Sequence, residues 1–328
     1  MDLVKNQHYV PRFYLRHFCG SDDRLFAFDK PTGKKWNTTV ESVANENYFY
    51  DHYELDKSSG KPQLLEHFFH PLEGDISTIL NELTASLEDG TFTQLSAEHR
   101  AKLSIFLVYQ FLRTKEKREE LRQFIGEFAR MIADIHLQQK GLSDSSYDIE
   151  SDEALFQARF LLDRKNVEQL ANILHRHIWI IIKNLTTRPF YTSDNPFVKK
   201  ANIPHPVRSM NGIASPGIEI AFPIHPSYCL LLGERSFFAP LAAHDGFVME
   251  THDEENITHY NSLQVIHSYR QVYCSKDDFV LVQDMIARSP ELATADRIRV
   301  VAERGTAKPH KASFVSRILS QAKRWFSS

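Results

Sequence analysis

The spacing of apolar residues along the chain changes near residue 185. Between residues 63 and 184 they recur about every 3.6 residues, the period of a helix with one buried face. The helices predicted from this pattern cover residues 63–88, 96–139, 153–163 and 166–184. Ser96 has the residue type of an N-cap, and Pro71 predicts a kink or break in the first of these helices.

Short segments near both ends of the chain have the composition of β-strands. The residues from Leu25 to Asp29 alternate, Lys30 to Lys34 have turn chemistry, and Lys35-Trp36 resume the strand, which predicts a β-hairpin. Further strands are predicted over 48–50, 190–192, 218–222, 228–232 and 271–274, and further helices over 253–267 and 276–287. This order predicts an α+β fold, with a helical central part packed on an antiparallel or mixed sheet of N-terminal and C-terminal strands.

The C-terminal 25 residues differ in charge from the rest of the chain. Residues 304–328 contain six Lys or Arg and no Asp or Glu, so the net charge of −3 leaves −3 − 6 = −9 on the remainder. We therefore predict one compact α+β domain over 1–303, a linker over 304–312 and a basic amphipathic helix over 313–328. The apolar residues of that helix are Phe314, Val315, Ile318, Leu319, Ala322, Trp325 and Phe326. The helix folds back on its own domain, docks a protein partner or a second copy, or rests on an anionic membrane surface.

Composition argues against several classes of protein. Cys19, Cys229 and Cys274 are too far apart for a CxxC motif, and no apolar run approaches the ~20 residues of a transmembrane helix. The first residues lack the apolar region of a signal peptide. No Walker A, GxGxxG, GxSxG or HExxH motif occurs. We expect a cytoplasmic protein with no metal site and no cofactor.

Polar residues interrupt the apolar face of the helix predicted over 96–139. Gln110, Arg113 and Thr114 lie seven, ten and eleven residues after Leu103, so they share its buried face. An unpaired buried charge is costly, so Arg113 needs an acceptor or a wet cleft. Either Arg113 binds a carboxylate or a backbone carbonyl and stabilises the fold, or it lines a functional site.

Two further positions carry candidate chemistry. Asp194 follows a predicted strand and precedes Asn195-Pro196, so it either caps backbone amides at a turn or projects into a crevice beside the sheet. His8 has the residue type of a general acid or base near neutral pH, or else it is a hydrogen-bonded core histidine. Arg12, Tyr14 and Arg16 follow it, and such interleaved aromatic and basic residues either stack bases and hold phosphates or pack as an N-terminal strand or turn.

These segments resemble the motifs of a bacterial family of unknown function. Residues 6–18 read NQHYVPRFYLRHF, residues 191–196 read YTSDNP, and QFLRT lies between them at 110–114. In this order they are similar to a family whose members open with HYVPxxYLxxF and carry a central TSDNP. The resemblance covers roughly residues 5–290. It implies no activity and no catalytic residue.

Two hypotheses on function follow from the residues. The first is a hydrolase or nuclease acting on a phosphate-bearing substrate such as RNA, with His8, Arg113 and Asp194 as catalytic residues. The substrate-binding residues of this hypothesis are Arg12, Tyr14, Arg16, Gln110, Thr114, Ser193 and Asn195. The second is a non-enzymatic binding or interaction protein, in which the polar residues form a structural network and the basic C-terminal helix docks a partner or a membrane.

Overall fold

A computed structural model describes residues 3–139, 152–205 and 209–300. The linker predicted over 304–312 and the helix predicted over 313–328 lie outside the described residues. Within the described ranges, every helix is too short or too polar to cross a lipid bilayer.

The described residues form nine α-helices and eleven β-strands. The helices are α1 (Arg12–Arg16), α2 (Tyr53–Ser59), α3 (Leu64–Glu88), α4 (Ala97–Arg113), α5 (Lys115–Gln139), α6 (Glu153–Leu162), α7 (Arg164–His175), α8 (Glu254–His267) and α9 (Val280–Arg288). The strands are β1 (Asn6–His8), β2 (Leu25–Asp29), β3 (Lys34–Thr38), β4 (Asn45–Asn47), β5 (Ile178–Asn184), β6 (Thr192–Ser193), β7 (Val198–Ala201), β8 (Ile218–His225), β9 (Tyr228–Gly233), β10 (Val248–Thr251) and β11 (Gln271–Cys274).

The strands form three sheets, and the predicted mixed α+β fold is confirmed. The largest sheet has the order β10-β5-β9-β8-β7, with β10 parallel to β5 and the other pairs antiparallel. The second sheet, β3-β2-β11-β6, is antiparallel and joins the N-terminal hairpin to C-terminal strands, as the sequence predicts. The third sheet pairs β1 with β4.

The helix predicted over 166–184 is wrong in its second half. Helix α7 ends at His175, and strand β5 begins at Ile178 between β9 and β10. The side chains from Ile178 to Ile182 are all buried, and β-branched isoleucines favour the extended backbone of a strand. A short continuous apolar run of this kind suits a strand covered on both faces.

The helix predicted over 96–139 is broken at Thr114. This residue is extended, with ψ 159°, and separates α4 from α5. Its hydroxyl accepts a hydrogen bond from the amide of Lys117 at 3.3 Å, so Thr114 caps the start of α5. The same hydroxyl donates to Asn195 Oδ1 at 3.0 Å. The polar interruption of the sequence pattern therefore coincides with the end of α4.

Three smaller differences concern element boundaries. Residues 48–50 are a turn and not the predicted strand, because Tyr48 has a φ of 54°. Helix α9 begins at Val280, four residues later than predicted. Pro71 lies inside α3, which continues past it.

The apolar core packs helices against the largest sheet. Phe222 of β8 contacts Phe106 of α4 and Tyr14 of α1, with ring centroids 6.0 and 4.9 Å apart. The Tyr14 hydroxyl donates to the carbonyl of Pro223 at 2.6 Å. This packing fixes the N-terminal segment beside the C-terminal half of α4, where the predicted polar residues lie.

Candidate functional site

His8 is held by one ring nitrogen beside strand β4. It pairs with Asn45 across the β1–β4 ladder, and its Nε2 lies 3.2 Å from the Val40 carbonyl oxygen. A carbonyl accepts, so this contact assigns the proton to Nε2 and leaves Nδ1 with its lone pair. Asn45 Nδ2 lies 3.4 Å from the same nitrogen, but it donates at shorter distances to the carbonyls of Glu41 and Val43. Burial, together with the charge of Arg12, lowers the pKa of His8 to about 4. At neutral pH the ring is therefore an uncharged base.

Two glutamates of α3 belong to the same neighbourhood. Glu66 and Glu73 are seven residues apart, so they share one face of the helix, and both are half-buried. Burial raises the pKa of Glu66, and the charge of Glu73 adds to this, whereas Arg113 opposes it. Glu73 accepts a hydrogen bond from Arg113 Nη1 at 2.8 Å. Neither glutamate is among the site residues predicted from the sequence, although their seven-residue spacing is the signal that places them on one helix face.

Arg113 uses its guanidinium inside the protein. Its Nε donates to the Tyr50 hydroxyl at 2.9 Å, and its Nη2 donates to the His8 carbonyl at 2.7 Å. Its guanidinium carbon lies 4.1 Å from the centroid of the Phe69 ring, and only 2% of the side chain is exposed. With Glu73 as its third partner, Arg113 positions the backbone of His8 and does not reach solvent. This geometry favours the structural interpretation of Arg113.

Gln110 and Thr114 connect α4 to the two motif segments. Gln110 Nε2 donates to the Tyr9 carbonyl at 3.1 Å, and its Oε1 is buried without a partner among the described atoms. Thr114 binds Asn195, whose Nδ2 donates to the His267 carbonyl at 2.8 Å. Both side chains thus tie separate segments together in the interior.

Asp194 is buried, and both of its carboxylate oxygens accept hydrogen bonds from backbone amides. Its Oδ1 accepts from the amide of Tyr269, and its Oδ2 accepts from the amides of Arg270 and Gln271, each at 2.7 Å. Burial raises the pKa of this carboxyl to about 6, against the three amide bonds and the nearby charge of Lys30, which favour the ionised form. The geometry favours the capping interpretation, because Asp194 shapes the loop that leads into β11.

The structure therefore places the predicted site residues in two groups, which the hydrogen bond between Thr114 and Asn195 connects. His8, Gln110 and Arg113 are joined through bonds to the N-terminal backbone. Ser193 and Asn195 belong with Asp194, since the Ser193 hydroxyl donates to Gln264 Oε1 at 2.7 Å and the segment is buried. No hydrogen bond among the described residues joins Asp194 to His8 or Arg113.

Three predicted substrate-binding residues lie on α1. Tyr14 is buried, and its hydroxyl lies 2.7 Å from that of Thr192. Arg12 and Arg16 are exposed, and Arg16 approaches Glu41 at 3.6 Å. Of the predicted residues, these two arginines are the ones whose charges remain open to a ligand.

Comparison with known proteins supplies a family. A family model described as a protein of unknown function (DUF4238) matches residues 6–278. The chain belongs to the DUF4238 family. The match spans both motif segments, so the resemblance to an uncharacterised family is confirmed. No curated protein and no solved structure matches the chain.

A separate cleft of this DUF4238 chain lies at the other end of α4. It has a volume of about 550 Å³, and its lining includes Ser96, Arg100 and His175. Arg100 donates to the carbonyls of His175 and His177 and to Asp245, so its guanidinium is occupied. At 1.5 Å per residue, Arg113 lies ~20 Å further along the helix. The cleft therefore does not include the predicted site residues.

The cysteines of this DUF4238 chain do not form a reactive or metal-binding cluster within the described ranges. Cys229 and Cys274 are buried, and all three cysteines are free thiols. Burial raises the pKa of Cys19 to about 11 and that of Cys274 to about 12, so both are protonated at neutral pH. The described residues hold no group of three His, Cys, Asp or Glu suited to a metal ion.

Proposed function

We propose that this DUF4238 chain hydrolyses a phosphate-bearing substrate such as RNA, with His8, Glu66 and Arg12 as the working groups. One observation carries the proposal: His8 is anchored through Nε2 and is uncharged at neutral pH, and the half-buried carboxyl of Glu66, whose pKa is raised, is influenced by the same neighbouring charges. The charges of Arg12, Glu73 and Arg113 influence the pKa of both His8 and Glu66, which places the two groups in one electrostatic environment.

The chemistry assigned to these groups is acid–base catalysis. His8 Nδ1 takes the proton of the attacking water or ribose hydroxyl, whose oxygen forms the new bond to phosphorus. The protonated carboxyl of Glu66 gives its proton to the leaving oxygen as the old phosphorus–oxygen bond breaks. Arg12, exposed at the start of α1, pairs with the phosphate oxygens.

Arg113 is a positioning residue in this proposal. It holds the His8 carbonyl with Nη2 and Glu73 with Nη1, so it fixes two parts of the site to α4. The sequence predicts Asp194 as a third catalytic residue, and its carboxylate is occupied by backbone amides. The residue that orients His8 in this proposal is Arg113, because its Nη2 donates to the His8 carbonyl.

The substitution His8→Gln is expected to lower turnover of RNA or a simple phosphate ester by about 10²–10⁴-fold, the usual contribution of a general base. The glutamine amide can replace Nε2–H as donor to Val40, whereas the basic nitrogen is lost. Initial rates for purified full chains measure the effect, and circular dichroism checks the fold.

His17→Gln is the matched control, because burial also lowers the pKa of His17 to about 4. His17 has no part in the proposed chemistry, so this variant should keep the wild-type rate. Unchanged turnover in His8→Gln would exclude His8 as the base. Absence of turnover by the wild-type chain across RNA and phosphate esters would remove the proposal.

The rate is expected to depend on pH with two limbs. It rises as pH increases through about 4, because His8 must lose its proton to act as a base. It falls at higher pH as Glu66 loses the proton that burial retains. His8→Gln should remove the acid limb and Glu66→Gln the alkaline limb from the residual activity. A profile whose limbs are the same in both variants would assign the two titrations to other groups.

A second candidate is phosphate recognition without chemistry, as in a ligand-binding protein. In its favour, Arg113 and Asp194 use their polar atoms in hydrogen bonds inside the protein. Arg12 and Arg16, by contrast, are exposed and lie one helical turn apart. The same RNA distinguishes the two candidates. Binding that weakens in Arg12→Gln and in high salt, without product formation, would support recognition alone.

A further inference from the structure

Helix α5 carries an apolar stripe that stays exposed. Phe124, Phe128 and Ile132 lie four residues apart on one face, and 55%, 50% and 52% of their surfaces are accessible. The two phenylalanine rings stack with centroids 6.2 Å apart. Contiguous exposed apolar side chains of this kind mark interaction surfaces. We call these three residues the α5 stripe.

The first turns of α5 contact other parts of the fold. Helix α6 contacts it through Arg118, whose Nε donates to Gln157 Oε1 at 2.7 Å. Glu116, near the first turn, binds Arg297 and Arg299 with nitrogen–oxygen distances of 2.8 and 2.9 Å. The α5 stripe begins six residues after Arg118, beyond these contacts.

The described chain ends against the same helix. Gln123 Nε2 donates to the Arg297 carbonyl at 2.8 Å. Its Oε1 accepts from the amides of Arg299 at 2.7 Å and Val300 at 3.3 Å. Residues 301–328 therefore continue from a point one residue away from Phe124, the first member of the α5 stripe.

The sequence that follows has the length and pattern to reach the α5 stripe. Residues 301–312 span at most ~40 Å when fully extended, whereas the stripe is ~12 Å long at 1.5 Å per residue. The apolar positions predicted on one helical face run from Phe314 to Phe326, or ~18 Å by the same rise. Residues 301–312 are therefore long enough to connect Val300 to a segment lying on the α5 stripe, and the two apolar faces are of similar length.

We propose that residues 313–328 dock along the α5 stripe of their own chain. The short tether gives the segment a high effective concentration at the stripe, which favours it over a second copy in dilute solution. The apolar side chains lie against Phe124 and Phe128, and Arg317, Lys323 and Arg324 stay in water. Docking covers two apolar surfaces that would otherwise both face solvent.

Photo-crosslinking of the full-length chain tests this assignment. A benzoylphenylalanine replaces Phe128, dilute protein is irradiated, and mass spectrometry identifies the linked peptides. We expect links to residues 313–328 of the same molecule. The same probe at Phe237, another exposed ring with 42% of its surface accessible, should give no link to that segment.

A second variant separates docking from chance encounters. Ile318→Asp with Leu319→Asp places two charges in the proposed interface, so the yield of the Phe128 link should fall about tenfold or more. An unchanged yield would overturn the proposal. Links found only between isotopically distinct chains would assign the α5 stripe to a second copy. Binding of phosphatidylserine vesicles through residues 313–328, with no link in their absence, would assign the segment to a membrane surface.

Discussion

The substitution Arg113→Met is expected to lower the free energy of unfolding by about 3–5 kcal/mol, the range for breaking a buried ion pair. Methionine fills much of the same volume but supplies no donor. The Tyr50 hydroxyl and the His8 carbonyl lose their partner, and Glu73 loses its counter-charge. The contact of the guanidinium with the Phe69 ring is also lost. Urea unfolding of the purified chain at pH 7 measures the difference.

Arg113→Lys is the matched comparison. It keeps the positive charge but not the planar fork that reaches three acceptors, so we expect a smaller but clear loss of stability. A methionine variant as stable as the wild type would contradict the assignment of Arg113 as a residue that stabilises the fold.

Asp194→Asn is the second large effect, with an expected loss of about 2–4 kcal/mol from unsatisfied buried amides. The carboxylate accepts three backbone N–H groups, two of them on Oδ2. In asparagine an NH₂ group replaces one of the two oxygens, and this group donates hydrogen bonds instead of accepting them. Depending on the side-chain orientation, it faces either the amide of Tyr269 or the amides of Arg270 and Gln271, which lose their acceptor. Thermal and urea unfolding of the same preparation give the difference.

Asp277→Asn is the control, because its carboxylate is half exposed and pairs with Lys35 at 2.8 Å. Exposed ion pairs contribute about 0–1 kcal/mol, so this variant should be close to the wild type. Equal stabilities for the Asp194 and Asp277 variants would contradict the assignment of Asp194 as the cap of the loop before β11.

The sequence was sufficient to predict those elements whose structure depends on residues adjacent in the chain. The turn residues from Lys30 to Lys34 and the alternation before them predict the β2–β3 hairpin, which the structure contains. The sequence pattern predicts a helix from residue 253, and in the structure the Asp253 side chain accepts from the amide of Glu255 as the N-cap of α8. Both features need only a few consecutive residues.

Predictions from the sequence were wrong where contacts between residues far apart in the chain determine the secondary structure. The run from Ile178 to Ile182 is apolar on every side, so its period does not distinguish a buried strand from a helix, and its neighbours β9 and β10 decide. The break at Thr114 depends on Asn195, which is 81 residues away. Local propensity contains no information on such a bond.

In the candidate site, too, the sequence predicts what local spacing determines and does not predict contacts between distant residues. The helical period places Gln110 and Arg113 on a buried face, and the structure buries both. The pattern does not reveal that Glu73, 40 residues earlier on another helix, neutralises Arg113. For that reason an argument from spacing leaves both a structural and a working guanidinium open, whereas the structure contains one whose donors are hydrogen-bonded inside the protein.

The pairing of β2 with β11 has a consequence for how the chain acquires its structure. The two strands are about 240 residues apart, and β11 lies between β2 and β6 in the sheet. Contacts between residues so far apart in sequence form late in folding, because the long loop between them must lose entropy before the contacts contribute stability. A nascent or cleaved chain that stops short of Gln271 leaves β2 with an open edge, and open edges recruit other strands into aggregates.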